Sequence, residues 1–197
     1  LHGWGADSSF FEAQAAALRP HHSVTLMDLP GHGQAATQTP QGMPTFVTAL
    51  EATRTRLKAN QLILIGHSFG ALVARQYALA HPTRVAALVL LDGAIFQLPP
   101  GEQDRQRWSE NIARLAASFG PAVEKTQRER SISVFLSNLH HPNTPRDIQM
   151  RVLRTALQTP PAAAEATLLA MADLKLWTPA TVPVPTLFLR TGKQAPP

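Results

Sequence analysis

Three stretches of the chain, SVTLMDL (23–29), QLILIG (61–66) and VAALVLLD (85–92), run apolar with no regular polar alternation. A strand with one wet face alternates, whereas a strand covered on both faces does not, so these read as strands of a parallel sheet. Between them, MPTFVTALEATRTRLKAN (43–60) sets Phe46, Leu50 and Leu57 on one face of a helix. GALVARQYALAHP (70–82) is apolar nearly all round, as befits a helix packed into a core, and closes before Pro82. The order strand, helix, strand, helix, strand predicts an α/β fold with a doubly wound, mostly parallel sheet.

After residue 96 the period changes to a helical one and stays so until about residue 178. Trp108, Ile112, Leu115 and Phe119 stripe a first helix, and Ile132, Phe135, Leu136 and Leu139 a second. Thr144-Pro145 supplies a cap and a first-turn proline for a third, with Ile148, Val152 and Leu157 expected inward. A fourth follows Pro160-Pro161 through Leu168, Leu169 and Trp177. VPVPTLFLRTG (182–192) then returns to a strand, entered through two prolines, which a strand tolerates at its first residues. The chain therefore divides into 1–96, 97–178 and 179–197, the middle part being an insertion in the α/β pattern.

Composition narrows the class. With 44% hydrophobic and 16% charged residues the chain is globular rather than disordered. Its 18 Lys and Arg against 13 Asp and Glu leave a net charge of +5, but the two signs are interleaved and form no block, which argues against a nucleic-acid partner. The absence of cysteine excludes disulfides and thiolate chemistry. No apolar run is long enough to span a membrane. The chain opens on LHGWG without a methionine, which leaves a leader peptide open, and a cytoplasmic location is the default expectation. Oligomeric state is not legible.

The chemistry concentrates at IGHSFG (65–70), where Ser68 stands between two glycines after an apolar strand and before a helix. A serine hydroxyl becomes a nucleophile when it is exposed to substrate, paired with a base and close to oxyanion donors. A sharp strand-to-helix turn supplies the exposure and demands small residues two positions either side, here Gly66 and Gly70. Chance alone yields G-x-S-x-G on the order of 0.03 times in such a chain. The helix that follows offers the free N–H of Phe69 at its positive end. A second donor is expected from LHGWG, whose glycines let the backbone approach substrate, and the Trp4 N–H is that donor. His140-His141 precedes Pro142 in a polar loop, and no set of further ligands completes a metal site.

LHGWG, MDLPGHGQA, LIGHSFGALVARQYALAHPTRVAALVLLDGA and PVPTLFLRTG, in that order, resemble the α/β-hydrolase superfamily in its branch with a helical lid. HGWG and DLPGHG are similar to small carboxylesterases of that superfamily. The resemblance implies an α/β-hydrolase core over 1–96, a lid over 97–178 and the start of the C-terminal core over 179–197. It implies Ser68 as nucleophile, the N–H groups of Trp4 and Phe69 as oxyanion hole, and His2 and Asp28 as loop supports. His67 reads as packing, being adjacent to the serine.

The family's acid commonly follows the strand that ends here at Gly192, but KQAPP holds no carboxylate. Some members use a carboxylate after the preceding strand, which makes Asp92 one candidate acid, the alternative being an acid beyond Pro197. The family's base is a histidine after its last strand, whereas the last histidine here is His141, inside the lid. The 197 residues are thus expected to be part of a longer hydrolase lacking strands at both ends, and inactive alone. The expected activity is hydrolysis of a small or medium ester, a small-molecule substrate, without cofactor or metal. Carbon–carbon, amide or iminopeptidase, and perhydrolase chemistry on the same serine, or a non-catalytic ligand-binding relative, stay open alternatives.

Overall fold

A computed structural model describes residues 1–93 and 98–190. The three strands β1 (Leu62–His67), β2 (Val85–Leu91) and β3 (Thr186–Leu189) form one parallel sheet in the order β1-β2-β3. Helix α1 (Glu12–Leu18) and helix α2 (Met43–Arg56) precede β1, and α3 (Phe69–Ala80) links β1 to β2. Four helices, α4 (Glu102–Ala117), α5 (Lys125–Leu139), α6 (Arg146–Gln158) and α7 (Pro161–Met171), stand between β2 and β3. The parallel α/β architecture expected from the apolar runs is present, with four helices where the proline punctuation put them.

Stretch 23–29 is not a strand. A strand needs a ladder partner, and the free edge of β1 is taken by Leu1, whose carbonyl accepts the His67 N–H at 3.0 Å. Residues 23–29 lie beyond Leu1 and His2, and the Leu29 N–H goes to the His2 ring instead of to a backbone carbonyl. The final strand is also shorter than 182–192: β3 begins after Pro185, whose carbonyl accepts the Leu88 N–H, and its expected end at Gly192 lies outside the described residues.

Two hydrophobic clusters hold the fold. The first packs α2 and α3 onto the sheet, with Phe46 edge-on to Phe69 at 4.8 Å and Tyr77 fully buried. The second joins α4 to α7 around Trp4, Phe119, Ile132 and Leu136. Several apolar residues expected inward point to solvent: Leu139, Ile148, Leu157 and Leu169 are 40–64% exposed, as is Leu57 at the end of α2 at 44%. Most of the expected stripe does face inward: Phe119, Ile132, Leu136 and Leu168 are buried, with Leu115, Phe135 and Val152 packed against them. On α6 Val152 packs as expected, joined by Leu153 and Ala156, while Ile148 and Leu157 face solvent. Trp177 lies beyond α7 in a 3-10 turn (Leu174–Trp177), packed edge-on against Trp108 with centroids 5.5 Å apart.

Candidate active site

Ser68 caps α3 with φ 51 and ψ −116, a left-handed backbone that a side chain adopts only under strain of about 1–3 kcal/mol. The turn is fixed from both sides. The Ser68 N–H donates to Leu91 O of β2 at 3.0 Å, and Ser68 O accepts from Ala71 and Leu72 of the first helical turn. The glycines act through different neighbours. A methyl group on Gly66 would stand 2.4 Å from Gly70 O, inside the turn itself. One on Gly70 would stand 2.4 Å from His2 O, so the second glycine is required by the chain that crosses beside the elbow.

That crossing chain carries the expected second oxyanion donor. Gly3 to Ala6 form a turn closed by the Ala6 N–H on Gly3 O at 3.3 Å, with Gly5 left-handed at φ 63. A methyl group on Gly3 would lie 3.1 Å from Ser68 Cβ, which measures how closely the turn approaches the serine. Among the described residues no acceptor pairs with the N–H of Trp4 or of Phe69. These are the two N–H groups that the sequence reading assigns to an oxyanion hole.

Loops on either side hold this turn. The Trp4 indole N–H donates to Ala164 O of α7 at 2.8 Å, and its ring packs against Phe119 and Phe135. His2 Nε2 accepts the Leu29 N–H at 2.9 Å, and burial pushes the imidazole down to about 4. The Asp28 carboxylate accepts the N–H groups of Ser8 and Gln34. Burial alone would raise Asp28, and these two donors outweigh it, holding the carboxyl below its usual range. His2 and Asp28 therefore support loops, as the sequence resemblance implied.

Asp92 follows β2 with φ 45 and donates its N–H to Leu189 O at 2.8 Å. The next residue, Gly93, presses on Ser68: a methyl there would be 2.5 Å from Ser68 O. The strand end that bears Asp92 thus abuts the elbow. Burial lowers the proton affinity of His67, and the Asp92 charge partly opposes it. Phe119 and Phe135 are spent on Trp4, and Trp108 on Trp177, so these rings build the interior of the insertion. His141 Nδ1 accepts the Asn143 N–H within its own loop. Among the described residues no group of three or more His, Cys, Asp or Glu could hold a metal ion. No described helix is long and apolar enough to cross a membrane.

Sequence reasoning missed His32, buried in the second loop beside His2, and the anchoring of the Trp4 ring by the helical insertion. The GHG of residues 31–33 was the available signal for the first. Nothing local signals the second.

The family model for the alpha/beta hydrolase fold matches residues 1–176. A serine hydrolase-like protein of Mus musculus is 31% identical over 150 residues, covering 72% of this chain and 48% of its own length. A pimeloyl-[acyl-carrier protein] methyl ester esterase of Pseudoalteromonas atlantica is 28% identical over 174 residues, covering 88% of this chain and 64% of its own. The chain thus spans between about half and two thirds of these relatives. An esterase structure from Exiguobacterium antarcticum superposes with a TM-score of 0.77 at 20% identity, over 95% of this chain and 70% of that one. By the match over residues 1–176 and the parallel sheet that delivers Ser68 to the head of α3, this chain belongs to the alpha/beta hydrolase fold family.

Proposed function

We propose that this chain carries the nucleophile and oxyanion hole of a serine hydrolase acting on small or medium carboxylic esters. Ser68 Oγ attacks the ester carbonyl carbon while a base takes its proton. The carbonyl electron pair moves to oxygen, where the N–H groups of Trp4 and Phe69 hold the charge. Collapse expels the alcohol, which receives the proton from the base, and leaves an acyl-serine. Water attacks the acyl group in the same way and releases the acid. The base in this proposal is a histidine, oriented by a carboxylate for which Asp92 is one candidate. Helices α4 to α7 serve as the lid, touching the site through the Trp4 ring. No metal or cofactor enters the reaction.

The observation that carries the reading is the backbone of Ser68, strained at φ 51 at the head of a helix with the Phe69 N–H beside it. Such strain persists where the surroundings enforce it. The ester class is supported by the relative named as a methyl ester esterase. In the full-length protein, a fluorophosphonate is expected to label Ser68 and p-nitrophenyl esters to turn over. Ser68→Ala is expected to abolish labelling and to lower kcat at least about 10⁴-fold. A panel with amides and β-diketones tests the substrate class: faster turnover of either than of esters replaces that class and leaves Ser68 in place.

A further inference from the structure

Among the described residues, three other than glycine have a left-handed backbone: Lys58 at φ 53, Ser68 at φ 51 and Asp92 at φ 45. Lys58 follows the cap of α2, where that conformation is ordinary. The other two stand at matched points of the sheet. Strands β1 and β2 run parallel with His67 paired to Leu91, so Ser68 and Asp92 are the next residues on neighbouring strands. Each leaves its strand in the same manner: the Ser68 N–H donates to Leu91 O at 3.0 Å, and the Asp92 N–H donates to Leu189 O at 2.8 Å. The sheet thus ends in two adjoining elbows, the first of which opens α3.

The second elbow bears on the first. An extended Asp92 would carry the chain onward along β2, whereas the left-handed one turns it at once. The residue that follows lands on the nucleophile: a methyl group on Gly93 would stand 2.5 Å from Ser68 O, 2.6 Å from Ser68 Cα and 2.9 Å from Ser68 C. All three are main-chain atoms, which no change of rotamer can withdraw. Ser68 O also accepts the N–H groups of Ala71 and Leu72, so a push there reaches the first turn of α3. A left-handed serine persists only where its surroundings leave it no easier conformation. The bond to Leu91 fixes its N–H, the helix fixes its carbonyl oxygen, and Gly93, coming off β2, bounds its Cα and carbonyl carbon.

We infer that Gly93 is a positioning residue for the nucleophile, set against Ser68 by the left-handed turn at Asp92, so that the end of β2 buttresses the serine elbow. This rests on the hydrolase reading above, and it holds whether or not Asp92 is also the acid. Three variants of the full-length protein test it. Gly93→Ala adds the methyl that the Ser68 backbone leaves no room for. Asp92→Gly and Asp92→Val both lack the carboxylate, but glycine takes a left-handed backbone freely and valine does so only as an outlier. A difference between those two reads the backbone alone, and the pair decides should Gly93→Ala not fold.

With a p-nitrophenyl ester, Gly93→Ala is expected to lose about 100-fold in kcat with KM changed less than about threefold. Fluorophosphonate labelling of Ser68 is expected to slow by a similar factor yet run to the same final extent. A loss of folded protein would do the reverse, cutting the extent and leaving the rate of the folded fraction alone. The Asp92→Val protein is expected to label at least about tenfold more slowly than Asp92→Gly. Wild-type kcat in Gly93→Ala, a loss confined to KM, or a labelling extent that falls at unchanged rate overturns the inference and leaves Ser68 as nucleophile. Where Gly93→Ala does not fold, equal labelling rates in the two Asp92 variants do the same. A wild-type protein that neither hydrolyses the ester nor takes the fluorophosphonate overturns the hydrolase reading, and the buttress role falls with it.

Discussion

The turn that carries Ser68 and the turn that carries Trp4 flank the same space, yet they are held in opposite ways. The serine turn is built from its own neighbours: Gly66 against Gly70, Ser68 O accepting from the helix it starts, and the adjacent strand β2. The tryptophan turn is held from far away in sequence, by His2 to Leu29 and His32 to Gly5 across 27 residues and by the indole to Ala164 across 160. Gly70 belongs to both, since the atoms a side chain there would strike are the carbonyls of Leu1 and His2. One turn is thus a local device and the other a junction between the sheet and the helical insertion. A local device forms whenever its strand and helix form, whereas a junction is only as rigid as its most distant support.

The largest expected effect breaks both turns together. Gly70→Ala puts a methyl 2.4 Å from backbone that cannot yield. It is expected to cost more than about 4 kcal/mol, read as loss of cooperative urea unfolding. A Gly70→Ala protein with a wild-type unfolding midpoint would dissolve the link between elbow and crossing chain. Next, Trp4→Ala empties the centre of the second cluster and is expected to cost about 3–5 kcal/mol. Intact stability would show that the insertion stands without the tryptophan turn.

Acid tests the histidine supports. His2 is held at about 4, below the ordinary histidine value of 6.5, because burial disfavours its charged form. The folded state then binds fewer protons than the unfolded one, so the stability is complete above about pH 6.5 and declines as pH falls toward about 4, by roughly 3 kcal/mol. His32 shifts in the same direction by burial, with Asp28 and Asp7 partly opposing it. Urea midpoints measured at about pH 7.5 and about pH 4.5 should therefore separate in wild type more than in His2→Gln. Parallel midpoints in the two proteins would remove His2 from the account. Smallest is Trp4→Phe, which keeps the ring but leaves Ala164 O without its indole donor, for about 1–2 kcal/mol. A null result there would assign the tryptophan's contribution to packing alone.

Much of the core was legible because it depends on short-range rules. Strands 62–67 and 85–91, the helix from Phe69 and the glycines of the elbow follow from apolar runs and turn sterics within a few residues. The insertion's four helices were legible from prolines and period. Their inward faces were legible only in part, since Phe119, Ile132 and Leu136 are buried as expected while Ile148 and Leu157 are not, because the neighbour decides where a stripe's edge falls. Stretch 23–29 had the composition of a strand and lacked a ladder, since composition does not supply the hydrogen-bonding edge.

By itself the sequence determined the chemistry on offer: a serine in a turn too tight for anything but glycine around it, and free N–H groups at a helix start. The demand for glycine at 66 arises from backbone sterics within five residues, whereas the demand at 70 comes from the carbonyls of Leu1 and His2. The tertiary structure alone decided how the Trp4 turn is held. It brought Gly3 beside Ser68, set two neutral histidines across each other's loops and closed Ala164 onto Trp4. Those contacts pair residues whose separation along the chain is arbitrary, so only the packed fold brings them together.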